Sequence, residues 1–106
     1  MSLKWPSKDP DETLDYTVDW SRFLRPSETI STVLWYVEDA DGVKQELLPS
    51  TTVDSLTVTQ TGNTTTTATI VLSGGTNNRQ YKVFCNVTTS RGITAERSII
   101  LGIKER

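Results

Sequence analysis

Histidine is absent from this chain of 106 residues, and cysteine occurs once. Without histidine, neither a Ser-His-Asp nor a Cys-His arrangement can form, and the commonest general base at neutral pH is missing. The single cysteine, Cys85, cannot form an intrachain disulfide, and alone it cannot make a structural zinc site. We therefore expect no enzyme, and we predict no catalytic, cofactor-binding or metal-binding residue.

The chain also lacks an excess of either charge and lacks a long apolar run. Eleven lysine and arginine residues face thirteen acidic residues, which gives a formal net charge of −2. This balance gives no electrostatic attraction to nucleic acid or to an anionic membrane, so neither is expected as a partner. No apolar run approaches the ~18 residues of a membrane span, and the N-terminus does not resemble a signal peptide. We expect synthesis in a reducing cytoplasm.

Strict two-residue alternation is the pattern that the chain does have. Leu14, Tyr16 and Val18 alternate with Asp15 and Thr17, which is typical of a half-buried strand. Turn signals at Asp41-Gly42 and Gly62-Asn63 separate further segments of this kind. The predicted strands cover residues 14–20, 30–37, 55–61, 64–72, 81–89 and 93–103, and the short segment 43–48 is predicted as part of a hairpin extension or loop.

These segments predict an all-β chain that forms one immunoglobulin-like or fibronectin-III-like sandwich of about seven strands. Tyr81 opens a strand after a glycine-rich loop, which favours a tyrosine corner. Trp35 lies in the most hydrophobic run and is the predicted centre of the core. We predict an extended N-terminal arm over residues 1–12, the sandwich over 13–103 and a C-terminal tail over 104–106.

Acidic residues are concentrated near the N-terminus, and calcium prefers carboxylate oxygens of this kind. Asp15 and Asp19 lie about 13 Å apart on a strand that rises roughly 3.3 Å per residue, too far to share one ion. Asp9, Asp11 and Glu12 could approach one another in a loop. We interpret them as a solvated charge run, and we predict no metal ligands.

Trp5 lies outside the alternating pattern, in a polar segment between Lys4 and Pro6. A tryptophan in this position either folds back onto the sandwich or docks on a partner, and the sequence leaves both alternatives open. Together with the acidic run it defines the residues predicted to contact a partner, which are Trp5, Asp9, Asp11 and Glu12.

The order of segments resembles a family of small phage proteins known as fiber–tail adaptors. Members open with a K-x-P-x-K-D-P-D-E-x-L-D-Y-x-x-D-W block, here Lys4, Pro6, Lys8, Asp9, Pro10, Asp11, Glu12, Leu14, Asp15, Tyr16, Asp19 and Trp20. A second segment is similar at Glu28, Thr29, Ile30, Ser31 and Trp35. The closing segments are similar at Thr69, Leu72, Ser73, Gly74, Gly75, Thr76, Tyr81, Gly92, Thr94, Arg97, Ser98 and Ile99. The resemblance is interrupted over residues 38–52.

This resemblance implies a structural component of a tailed phage or prophage virion, made in the bacterial host cytoplasm. Such a component would act as an assembly or adaptor module through contacts with other phage structural proteins, and it could form a homo-oligomer in the particle. Two alternatives stay open. A carbohydrate-binding sandwich would present Trp5, Tyr36 and Tyr81 to sugars, and an accessory protein would remain in the host cytoplasm.

Overall fold

The structure is a computed structural model and describes residues 3–105. In this part of the chain the strands form two β-sheets. Over this range there are nine strands and no helix, so no helix there could cross a membrane. The strands are β1 (Leu3–Lys4), β2 (Thr13–Asp19), β3 (Ile30–Glu38), β4 (Lys44–Glu46), β5 (Thr52–Val53), β6 (Leu56–Asn63), β7 (Thr67–Gly74), β8 (Gln80–Thr89) and β9 (Thr94–Gly102).

The first sheet has the strand order β1-β9-β8-β3-β4 and the second has the order β2-β7-β6-β5. Neighbouring strands are antiparallel, except that β1 runs parallel to β9. The predicted all-β sandwich is therefore confirmed. The two strands beyond the predicted seven, β1 and β5, contain two residues each, which is too short for a two-residue alternation to reveal them.

The inward rows of the two sheets form the core, as the alternation predicts. On β7 the buried side chains are Ala68, Ile70 and Leu72, each 0% exposed. On β8 they include Val83 and Val87, also 0% exposed, and these face the second sheet. Trp35 is 2% exposed, which confirms its predicted place in the core.

One predicted turn lies elsewhere. The sequence predicts a turn at the Gly62-Asn63 pair, but β6 continues to Asn63 and the chain reverses at residues 64–66. The Thr64 hydroxyl accepts hydrogen bonds from the N–H groups of Thr66 and Thr67 at 3.2 and 3.0 Å. This side-chain capping lets threonines form the turn that glycine and asparagine usually provide.

The tyrosine corner is confirmed at Tyr81, whose ring is 1% exposed. Its hydroxyl donates to the Asp54 carbonyl at 2.6 Å and accepts from the Thr76 N–H at 2.9 Å. The Arg79 guanidinium lies 4.6 Å from the ring centre and forms an ion pair with the Asp54 carboxylate at 2.9 Å. These contacts fasten the loop before β8 to the turn after β5.

Residues 3–8 of the segment predicted as an N-terminal arm run along β9. The Trp5 N–H donates to the Ile100 carbonyl at 3.0 Å, and the Lys8 N–H donates to the Gly102 carbonyl at 2.9 Å. The Lys104 N–H in turn donates to the Lys8 carbonyl at 2.8 Å. Met1, Ser2 and the tail residue Arg106 lie outside the described residues, and the predicted division into arm, sandwich and tail stays a prediction.

Candidate functional site

Trp5 lies between the two sheets. Its side chain is 8% exposed, and its ring stacks on Tyr16 of β2 with the centroids 4.6 Å apart and the planes 21° apart. The Trp35 ring of β3 lies 6.1 Å away. Because Tyr16 and Trp35 belong to different sheets, Trp5 fills the side of the sandwich between them. The structure therefore has Trp5 folded back onto the sandwich, and a contact between Trp5 and a partner stays a prediction.

The three predicted acidic contact residues come together in one tight turn. The Glu12 N–H donates to the Asp9 carbonyl at 3.0 Å, and the Glu12 carboxylate accepts from the Asp9 N–H at 2.9 Å. The Asp9 carboxylate accepts from the Asp11 N–H at 2.9 Å. Two of the three carboxylates thus bind backbone donors of their own turn. Among the described residues, no group of histidine, cysteine, aspartate or glutamate side chains could hold a metal ion.

A second turn, between β2 and β3, repeats this arrangement. The Glu28 N–H donates to the Arg25 carbonyl at 2.9 Å, and the Glu28 carboxylate accepts from the Arg25 N–H at 2.8 Å. Both turns read x-Pro-x-Glu, with the proline in the second position that favours such turns. Sequence reasoning missed the closing role of the two glutamates, although this repeated pattern was a signal for it.

Lys8 is buried although lysine side chains are usually exposed, and its side chain is 0% exposed. The ammonium group donates to the Gly74 carbonyl at 2.7 Å and to the Asp9 carbonyl at 2.8 Å. Burial lowers the pKa of Lys8, and the neighbouring carboxylates, Glu12 foremost, oppose that shift. Since no lysine or arginine occurs from residue 9 to residue 21, the exposed surface of this segment is acidic.

The opposite end of the sandwich carries the turns between β2 and β3, β6 and β7, and β8 and β9. The Thr65 carbonyl accepts from the Ile30 N–H at 2.9 Å, and the Thr29 carbonyl accepts from the Ser90 N–H at 2.8 Å. These bonds join the three turns into one rigid end. A cleft of about 260 Å³ lies there, lined by Phe23, Arg25, Glu28, Arg91 and Ile93.

Glu28 is the buried charge of this end, with 7% exposure. The Arg25 N–H and the Thr89 hydroxyl, which donates at 2.6 Å, hold the pKa of its carboxyl below the usual range. Since the folded-state pKa is depressed, the ionised group stabilises the fold above its unfolded pKa of about 4.3. That contribution is lost as the pH falls through the lower, folded-state pKa.

Glu28→Gln is therefore expected to be less stable than the parent at neutral pH, with the difference shrinking as the pH falls below about 4.3. Urea unfolding between pH 2 and pH 7 measures it. Glu46→Gln, which removes an exposed carboxylate from β4, controls for the change in net charge. A deficit of Glu28→Gln that stays constant down to pH 2 would contradict the assignment.

The described residues offer little for covalent chemistry or sugar stacking. Cys85 is 0% exposed, and burial raises the pKa of its thiol to about 11, so it is not a thiolate at neutral pH. Of the three aromatic side chains that a sugar-binding surface would need, Trp5 and Tyr81 are buried and Tyr36 is half-buried. What the arrangement can provide is shape, charge and sheet edges for contact with another protein.

Comparison with known proteins adds one match. The family model described as podophage GP4 fiber-tail adaptor protein gp77 matches residues 8–102 of the chain, which span β2 through β9. A search of curated proteins found no match.

Proposed function

This chain belongs to the family of podophage fiber-tail adaptor proteins, and we propose that it joins a fiber to the tail of a phage or prophage particle by protein–protein contacts alone. The observation that carries this proposal is the family match, which covers the whole sandwich from β2 to β9. The fold by itself is compatible with many functions, so it supports the proposal only through the surfaces that it presents.

The acidic N-terminal turn is the surface that we assign to a neighbouring structural protein. Asp11 is exposed at its tip, and the buried contacts of Trp5 and Lys8 hold the turn in place against the sandwich. In this proposal Trp5 holds the turn in position. The partner contacts the negative charge of Asp9, Asp11 and Glu12. Contacts of this kind favour specificity and rapid association.

The remaining parts of the proposal concern location and copy number. The protein is made in the cytoplasm of the bacterial host and is then incorporated into the virion. Because tail structures are symmetric, several copies would be arranged around the tail axis, each with the same contacts. Neither nucleic acid nor a membrane is a partner in this proposal, in keeping with the formal net charge of −2.

Peptide mass spectrometry of purified particles tests the proposal. We expect this chain at a fixed copy number per particle, and we expect particles from a deletion strain to retain tails but lose fibers. Substitution of Asp11 by lysine is expected to reduce incorporation, because it reverses the charge at the tip of the acidic turn.

Asp41→Lys is the matched control. Asp41 is also an exposed turn aspartate whose N–H donates to the aspartate two residues earlier, at 3.0 Å. If the two variants are incorporated equally, the acidic turn is not the partner contact, and the adaptor role is unaffected by that result. Absence of the chain from particles, with abundance in the lysate, would favour the accessory alternative.

A further inference from the structure

The four sheet edges of the described chain differ greatly in length. β1 and β5 contain two residues and β4 contains three, and such short strands are a common protection against pairing with other chains. β2 is the exception, with seven residues, Thr13–Asp19. It pairs with β7 in continuous register, without a bulge and without proline, and it pairs with no other described strand.

The hydrogen-bond pattern shows which backbone groups of β2 point outward. The Trp20 N–H donates to the Thr66 carbonyl at 2.8 Å, one step beyond the last register pair of β2 with β7. Because bonded and non-bonded pairs alternate in antiparallel sheets, residues 14, 16 and 18 bond to β7. The N–H and C=O groups of Thr13, Asp15 and Thr17 therefore face the free edge, while the Asp19 carbonyl accepts from the Arg97 guanidinium at 3.2 Å.

The charge along this edge argues against a second copy of the chain as the occupant. Asp15 and Asp19 are exposed, and no lysine or arginine separates them along the strand, while the Arg97 guanidinium lies at the Asp19 end of the edge. Antiparallel pairing of two copies would place Asp15 opposite Asp19 when it is centred on Thr17 and opposite Thr17 when it is centred on Tyr16, so β2 offers no cation to either carboxylate. Like charges directly opposite destabilise a strand pair, whereas opposite charges stabilise it. The edge thus suits a strand with cationic side chains.

We propose that the β2 edge is a docking site for an extended segment of another protein that carries lysine or arginine at alternate positions. The segment would add to the second sheet as a fifth strand, and its cations would pair with Asp15 and Asp19. This inference rests on the proposed adaptor function and names the chemistry of one partner.

The test uses the full chain and acetylated nine-residue peptides of alternating lysine and threonine. We expect saturable binding and slower hydrogen exchange at the amides of Thr13, Asp15 and Thr17. A glutamate–threonine peptide is expected to bind about tenfold more weakly, since it exchanges cross-strand attraction for repulsion. The lysine–threonine peptide with alternate N-methyl groups should not bind, because it lacks the donors of a β-ladder.

Two variants of Thr17 separate the edge from the surrounding surface. Thr17→Pro removes an outward N–H without removing a bond to β7, and it should abolish peptide binding. Thr17→Val loses the same hydroxyl contact with Thr69, 3.0 Å in the parent, but keeps the N–H and should bind normally. Asp15→Lys keeps the edge and should weaken binding of the lysine peptide and strengthen binding of the glutamate peptide, so that the difference between them largely disappears.

The proposal is overturned if the proline variant binds as tightly as the valine variant, if both peptides bind equally, or if the chain self-associates through β2. None of these outcomes alters the particle composition measured for the adaptor function, so failure of the docking site can be distinguished from failure of the adaptor function.

Discussion

Trp5→Ala is expected to lower the free energy of unfolding by about 3 kcal/mol or more, in the range of tryptophan truncations in protein cores. The physical reason is that Trp5 fills the space between Tyr16 and Trp35, and no neighbouring side chain replaces its area. Urea unfolding measures the change directly. In a domain of this size, Tm should fall by roughly 4–8 °C per kcal/mol.

Trp5→Phe is the matched control, because it keeps an aromatic ring opposite Tyr16 and should recover much of the stability. The result decides between the two alternatives that the sequence leaves for Trp5. Unchanged stability of Trp5→Ala, combined with failure to enter particles, would make Trp5 a partner contact. If Trp5→Ala loses both stability and incorporation into particles, the lost incorporation follows from destabilisation of the N-terminal segment that carries the acidic turn.

Gly74→Ala is expected to destabilise the fold by about 2–5 kcal/mol, the sum of a left-handed backbone penalty and overpacking. Gly74 has a φ of +73°, and an added Cβ would lie 2.5 Å from the Ser55 carbonyl oxygen. That oxygen is backbone and accepts from the Gly75 N–H at 2.8 Å, so it cannot move away without breaking a hydrogen bond. The Gly74 carbonyl also accepts the Lys8 ammonium, so a shift of this loop would disturb the N-terminal segment.

Gly62→Ala provides the comparison, since Gly62 lies within β6 and an added Cβ would meet no atom within 4 Å. Its stability should stay within about 0.5 kcal/mol of the parent. Urea unfolding of both variants under the same conditions measures the two effects. Equal stability of the two variants would show that the approach of Ser55 to Gly74 is not a constraint on the fold.

Lys8 and Trp5 together explain how a short N-terminal segment becomes a fixed surface. Trp5 attaches it to the core, and the Lys8 ammonium attaches it to the end of β7, 66 residues away in sequence. Burial of a charged amine is costly unless its donors find acceptors, and two carbonyl oxygens accept two of the three N–H groups here. The segment therefore presents its acids in a defined position, as recognition by a rigid partner requires.

The sequence by itself determined the inward rows of the sandwich. Leu56 and Val58, or Ala68, Ile70 and Leu72, could be assigned to the core because successive side chains of a strand point to opposite faces. The absence of histidine, the presence of a single cysteine and the resemblance to phage adaptor proteins could be read from the sequence equally well. Tyr81 followed from its position at the start of a strand.

The edge position of β2 also follows from its alternating pattern with charges on the solvent face, whereas only the tertiary structure decided the places of Trp5 and Lys8, the two shortest strands and the pairing of β2 with β7. Each of these depends on contacts between residues far apart in the chain, such as Lys8 with Gly74 or Leu3 with Ile99. Alternation reports which face of a strand is apolar, but it carries no information on which strands are neighbours. Which strands are neighbours is fixed only when both sheets have formed, because pairing partners are chosen by the whole fold.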